Sequence, residues 1–220
     1  MNRILPFRTR EDAERAAPAV SEHLAAGGLL AYPTETVYGL GTRLDAAGLA
    51  ALADAKSRDH AKSFLLLDAQ PRRLPGLVWS PAAHALADAF WPGPLSIAVP
   101  AADGYPVQVR SASGAVALRD TPLLALRVLL ERLEAPLTST SANLPGEPPA
   151  TSLLELRDTL ARMPGGTAAL VLDGGTLPPS SPSTVVDCSH DRPRLVREGA
   201  IPLRELRRVL SQGGFALDVA

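Results

Sequence analysis

Two polar segments of this chain have the residue types to hold a charged ligand. Tyr32-Pro33-Thr34-Glu35-Thr36-Val37-Tyr38-Gly39-Leu40-Gly41 and Leu137-Thr138-Ser139-Thr140-Ser141-Ala142-Asn143 each follow or complete an apolar run that reads as a buried strand. Each then offers hydroxyls, glycines or an amide where a strand ends, the place at which open α/β sheets bind polar ligands. Lys56-Ser57-Arg58 and Lys62 lie between them, and Arg119 and Arg197 directly follow the apolar runs Val116-Ala117-Leu118 and Leu195-Val196. Arginine presents a fixed fork to phosphate or carboxylate oxygens and lysine a mobile point charge, so the set as a whole points to a site for a polyanion.

Taken singly, each segment also has a plainer explanation. Lys56, Arg58 and Lys62 suit the negative end of a helix dipole. Thr34 and Thr36 suit a strand, and Ser139, Thr140, Ser141 and Asn143 suit a turn bonded to its own backbone. Ser183-Thr184, ahead of Val185-Val186-Asp187, repeats the hydroxyl-rich arrangement more weakly. The chain has neither GxxxxGK[ST] nor GxGxxG, and none of His23, His60, His84 and His190 accompanies a serine at a strand end, so Ser-His-Asp hydrolysis has little support.

The elements that must position these residues follow from periodicity. Helical spacing runs from Glu11 to Ala26, with Thr9 as a candidate N-cap, Gly27-Gly28 as a stop and Pro18 as a source of a kink or a later start. Leu29 to Tyr32, a helix from Asp45 to near Arg58, and Phe64 to Leu67 read as a strand-helix-strand unit. Pro81 to Ala89 is helical and stops at Phe90-Trp91-Pro92-Gly93-Pro94, where two prolines flank a glycine. Trp91 reads as structural. Leu95 to Val99 and Val116 to Leu118 are strands, Pro122 to Leu133 is an amphipathic helix, and Ala135-Pro136-Leu137 leads into the second polar segment. Thr151 to Arg162, Ala168 to Leu172, Thr184 to Asp187, Arg194 to Val196 and Ile201 to Leu210 follow as helix, three strands and helix. This alternation predicts an α/β domain with a mixed sheet. Pro145 to Pro149 and Leu177 to Pro182 read as ordered loops, the latter a candidate lid, and residues 1–220 as a single domain.

Composition narrows the function. With 22 basic and 23 acidic residues, a formal charge of -1 gives no broad basic field for nucleic acid, and any RNA contact needs a local patch. Cys188 is the only cysteine, which excludes an internal disulfide and a multi-cysteine metal cage and suits a reducing cytoplasm. The N-terminal MNRILPFRTREDAER turns charged early, and no run reaches the about 18 apolar residues of a membrane span. A cytoplasmic protein without a membrane is expected.

The order PTETVYGLG, Lys56-Ser57-Arg58 with the later Lys62, FWPGPL, STSANLPGEPP, PSTVVD and LVREGAI, between Ala26 and Ile201, resembles the YrdC-type L-threonylcarbamoyladenylate synthases. The resemblance implies an open, twisted, mixed α/β sheet with flanking helices around a concave, positively charged cavity. It implies a nucleotidyltransferase that makes threonylcarbamoyl-AMP and pyrophosphate from L-threonine, bicarbonate or CO2, and ATP. Mg2+ would be held mainly by the ATP phosphates, with no resident metal. The product would pass to downstream proteins that form N6-threonylcarbamoyladenosine on tRNA, with room for a weak tRNA contact. By motif position, Lys56, Arg58, Lys62, Ser141, Asn143 and Arg197 would bind ATP, with Lys56 and Arg58 also catalytic. Thr34, Arg119, Ser139 and Ser183 would bind threonine, Arg119 at the carboxylate. Asp59 stands where the family usually has proline. The alternative is a paralogue of the same fold that binds double-stranded RNA or tRNA.

Overall fold

The computed structural model describes residues 2–57, 63–102 and 104–219. In chain order its elements are β1 (Ile4–Pro6), α1 (Arg10–Ala25), β2 (Leu30–Pro33), β3 (Tyr38–Gly41), α2 (Ala46–Ala55), β4 (Leu65–Leu67), α3 (Pro81–Phe90), β5 (Leu95–Pro100), β6 (Ala115–Arg119), α4 (Leu124–Leu133), β7 (Leu137–Ser141), α5 (Leu153–Arg162), β8 (Leu170–Asp173), β9 (Thr184–Asp187), β10 (Arg194–Arg197), α6 (Leu203–Gln212) and β11 (Asp218–Val219). The strands form one mixed sheet in the order β1-β8-β2-β3-β7-β4-β6-β5-β9-β10-β11.

Alternation along the strands assigns each face. Leu29, Ala31, Leu66, Val116, Leu118, Ile97 and Val186 point to one side, where they bury against Leu49 and Leu52 of α2, Leu86 of α3, Leu156 and Leu160 of α5, and Leu206 and Leu210 of α6. Leu30, Tyr32, Leu67, Leu137 and Leu172 point to the other side and meet only α1 and α4, through Ala13, Ala17, Val20 and Leu24 and through Leu126, Leu129 and Leu130. Two helices cannot cover so wide a sheet. On this second face Ala117 and Arg119, which alternate with the buried Val116 and Leu118, line a cavity instead.

The helices stop and start where the sequence says. Thr9 and Asp12 form a reciprocal capping box at the start of α1, and Ser152 and Glu155 form another at α5. The expected kink or late start at Pro18 is absent from the helix bounds: α1 begins at Arg10 and continues through Pro18, which lies on its exposed side. There a missing backbone donor costs least, and the buried stripe from Ala13 to Leu24 holds the helix together.

Two expectations need correction. β2, α2 and β4 follow in the order read but do not make a unit of neighbouring strands: β3 and β7 lie between the two strands, and three successive antiparallel pairings turn β4 against β2. The cause is β3 itself. Tyr38-Gly39-Leu40-Gly41 reads as a ligand loop with turn glycines, yet it is a fully buried strand paired on both edges, Leu40 with Ala31 and with Thr140. Its glycines serve close approach, for a Cβ on Gly41 would stand 1.8 Å from the Thr138 carbonyl oxygen. Short β1 and β11, at the two sheet edges, also carry too little periodicity to be read from sequence.

Gly41→Ala is accordingly expected to cost about 3 kcal/mol, the upper range of forced overpacking. Gly146→Ala is the control: its φ is +80° but nothing lies within 4 Å of the new methyl, so only the left-handed backbone penalty of about 1 kcal/mol applies. Urea unfolding of the two variants measures the difference, and equal losses would deny the tight crossing of β3 over β7.

Candidate active site

The cavity has a volume of about 590 Å3 and is lined from seven strands that are consecutive neighbours in the sheet. Gly39 comes from β3, Ser139, Thr140 and Ser141 from β7, Leu65 from β4, Ala117 and Arg119 from β6, Ser96 from β5, Val185 from β9 and Arg197 from β10. Thr34 and Val37 at the β2–β3 turn, Ser63, Pro149, and the Ser180, Pro182 and Ser183 of the loop before β9 complete the walls. Hydroxyls and two guanidinium groups therefore face one space over a partly apolar floor.

The two arginines differ in their partners. Arg119 is 5% exposed, and its Nε lies 3.5 Å from Glu35 Oε1 without a hydrogen bond. Glu35 Oε2 accepts a 2.8 Å bond from the Thr121 hydroxyl. Arg197 leans on a neutral group instead, donating from Nε and Nη2 to the Ser183 carbonyl at 3.1 and 2.8 Å and from Nη2 to the Ser183 hydroxyl at 3.2 Å. That hydroxyl is also 3.2 Å from the hydroxyl of Ser96. Burial, and then the charge of Arg119, hold the Arg197 pKa below its ordinary value, although a guanidinium stays protonated in proteins. Two cations that repel across an open space make an anion-binding arrangement.

The hairpin tip is built from its own threonines. The Thr34 hydroxyl donates to the Val37 carbonyl at 2.6 Å and accepts from the backbone N–H groups of Thr36 and Val37, both at 3.2 Å. The loop before β9 is tied to the same hairpin: Ser180 Oγ donates to the Thr36 carbonyl at 2.9 Å, while Tyr38 Oη donates to the Gly175 carbonyl at 2.7 Å and accepts from Gly174 N at 3.1 Å. This loop, expected from the sequence as a candidate lid, stands as a wall of the cavity.

Lys56, just past α2, is turned into the protein. Its ammonium donates to the Ser141 carbonyl and to Asn143 Oδ1, each at 3.0 Å, and to the Asn143 carbonyl. The Ser141 hydroxyl donates to the same Oδ1 at 2.6 Å, and Asn143 Nδ2 donates to the Glu147 carbonyl at 2.7 Å. Lys56 thus sets the turn after β7 from behind.

Of the residues marked in the sequence, Thr34, Arg119, Ser139, Ser141, Ser183 and Arg197 share the cavity, and Lys56 and Asn143 stand behind Ser141. Arg58 and Lys62, with Asp59, lie outside the described residues. Trp91 is structural, as read: its indole N–H donates to the Leu95 carbonyl at 2.7 Å. Sequence reasoning passed over Glu35, Ser96, Thr121 and Ser180. Ser96 carried a usable signal, a lone hydroxyl at the alternate position of the strand Leu95-Ser96-Ile97-Ala98-Val99. Glu35 did not, because its partners lie more than 80 residues away, 86 in the case of Thr121. Among the described residues no three His, Cys, Asp or Glu side chains cluster to hold a metal ion, and Glu35 is already engaged.

Comparison with known proteins fits this geometry. The family model Sua5_yciO_yrdC, described as "Telomere recombination", matches residues 22–199. The threonylcarbamoyl-AMP synthase of Pyrococcus abyssi is 32% identical over 194 residues, which cover 84% of this chain and 54% of that protein. The threonylcarbamoyl-AMP synthase of Thiobacillus denitrificans is 36% identical over 182 residues, 81% of this chain and 94% of that one. The crystal structure of P. abyssi Sua5 complexed with L-threonine superposes with a TM-score of 0.83 at 31% identity, covering 97% of this chain and 62% of that one. The chain therefore spans about half the length of the archaeal relative and nearly all of the bacterial one.

Lys56→Met keeps the aliphatic stem and removes the donor from three oxygens. The variant is expected to lose about 2 kcal/mol, the cost of leaving part-buried acceptors unmatched, and to open the turn after Ser141 to limited proteolysis. Unchanged urea stability together with unchanged cleavage would show that the turn stands without this ammonium.

Proposed function

The chain belongs to the Sua5/YciO/YrdC family, and from that membership we propose that it is a threonylcarbamoyl-AMP synthase acting on L-threonine, bicarbonate or CO2, and ATP. The observation that carries the reading is Arg119. Only its Nε is sealed from solvent, and among the described residues its terminal nitrogens make no hydrogen bond, so a buried fork stands open to the cavity. A fork of that kind matches the carboxylate of an amino acid. Arg197, whose charge no acid among the described residues matches, and the hydroxyls of Ser139, Ser141 and Ser183 line the same space. The names of the relatives favour this reading over an RNA-binding module.

The reaction asks for no protein nucleophile. The threonine amine attacks the carbon of CO2 to give a carbamate and a released proton; from bicarbonate the amine proton leaves with the hydroxyl as water. A carbamate oxygen then attacks the α-phosphorus of ATP, and the α–β phosphoanhydride bond breaks with pyrophosphate as leaving group. The protein contributes position and charge. Arg119 fixes the carboxylate end, Ser183 holds Arg197 at the anionic centre, and Lys56 and Asn143 together hold the turn that presents Ser141 to the nucleotide. By the resemblance Arg58 and Lys62 serve the triphosphate, while Lys56 acts through the turn that its ammonium supports. Thr34 shapes the threonine end by fixing the hairpin tip rather than by offering its hydroxyl proton, which the Val37 carbonyl takes. Mg2+ arrives with the ATP phosphates as part of the substrate. The product, an activated mixed anhydride, is consumed by an acyl transfer to tRNA, and the work is done in the cytoplasm; among the described residues no helix is long and apolar enough to cross a membrane.

Purified protein incubated with ATP, Mg2+, bicarbonate and L-threonine is expected to release pyrophosphate and form threonylcarbamoyl-AMP, detected by mass spectrometry, with serine and bicarbonate-free reactions as controls. Arg119→Lys replaces the fork by a point charge and is expected to raise the KM for threonine on the order of a hundredfold with ATP affinity little changed. Absence of product despite ATP binding would end this assignment.

A further inference from the structure

Glu35 is a half-buried carboxylate, with Oε1 sealed from solvent, that the reaction above leaves unused. It projects from the hairpin tip, its side chain is 14% exposed, and it sits between Arg119 and Thr121, groups distant in the sequence. Thr121 fixes Oε2, and the Thr121 hydroxyl is itself fixed, accepting a 3.2 Å bond from Leu123 N. Oε1 faces Arg119 Nε at 3.5 Å, and both atoms are buried without a hydrogen bond. The pair is matched in charge while the terminal nitrogens of Arg119 stay open to the cavity. Across that cavity Arg197 has, among the described residues, only the carbonyl and hydroxyl of Ser183 as hydrogen-bond partners. One cavity thus holds two guanidinium groups, one with its charge offset and one without.

Resting on the function proposed above, we propose that Glu35 is the residue that sorts the two anions of this site. With Glu35 in place, the Arg119 end is close to electrically neutral and accepts a carboxylate through two directed hydrogen bonds. A phosphate or pyrophosphate group carries more negative charge and meets Glu35 as a like charge close by, so it is driven to the Arg197 end. Glu35 acts through Arg119 and so is a positioning and specificity residue. Without it the site would hold two uncompensated cations, and the triphosphate would compete with threonine for the place of the amino acid.

The test is calorimetric titration of threonine into the full chain, without ATP, in the absence and presence of pyrophosphate. Wild type is expected to bind threonine with an affinity indifferent to pyrophosphate. Glu35→Gln keeps the shape and the Thr121 bond; with the Arg119 charge no longer offset, it is expected to bind threonine alone at least as tightly as wild type and to lose about tenfold in apparent affinity, competitively, when pyrophosphate is present. Threonine binding by Glu35→Gln as indifferent to pyrophosphate as that of wild type, or pyrophosphate competition already present in wild type, would overturn the proposal. Should Glu35→Gln lose its fold by circular dichroism, Thr121→Val decides: with the charge retained, it is expected to weaken threonine about threefold and to stay indifferent to pyrophosphate. Pyrophosphate sensitivity in Thr121→Val would refute charge as the sorting principle. Failure of wild type to bind threonine at all, with ATP still bound, would instead remove the synthase reading and this inference with it.

Discussion

A guanidinium withdrawn from water must be compensated, and at the floor of this cavity that requirement organises the surroundings. Arg119 is at the end of β6, almost wholly covered. Its counter-charge arrives from the β2–β3 hairpin tip through Glu35, which Thr121 orients. Breaking such a pair by removing one partner leaves a buried charge and costs several kcal/mol. The hairpin tip is therefore held against β6, although β7 and β4 separate β3 from β6 in the sheet. The pairing across this distance makes a cavity out of an open face.

Around that pair the polar groups are arranged so that few are spent on ligand and many on shape. Thr34 closes the hairpin turn, Thr42 and Thr138 bond each other across β3 and β7, and Tyr38 and Ser180 tie down the loop before β9. Thr184 accepts from the backbone N–H groups of Gly199 and Ile201 and donates to the Ile201 carbonyl, which fixes the segment following Arg197. Pre-positioned groups of this kind suit a reaction in which the substrates carry both nucleophiles, since orientation and charge are then all the protein has to supply. The sheet itself is the rigid support. Its opposite face is sealed by four helices, so the strand ends that carry the site have little freedom to shift.

Much of this was legible in the residues. Strand and helix identities followed from periodicity because each long element buries one face, and the caps at Thr9 and Asp45 marked helix starts by local hydrogen bonding alone. β3 escaped because a strand buried on both edges needs no alternating pattern, and its glycines mimic a turn. The resemblance pointed to Thr34, Ser139, Ser141, Ser183, Arg119 and Arg197, and these six do share one space. It also set Lys56 toward the phosphates, whereas its ammonium is engaged by the turn it supports.

The division between the two sources of information is physical. The sequence by itself determined what depends on near neighbours: helix caps, the alternating faces of strands, the scarcity of net charge, and the presence of hydroxyls and cations at strand ends. Only the tertiary structure decided which cation meets a counter-charge. Arg119 and Arg197 are the same residue type in similar settings, each after a run of apolar residues. One faces a carboxylate 84 positions away in the chain and the other a serine backbone. Electrostatic interaction depends on distance and burial rather than on order along the chain, and no local pattern records it.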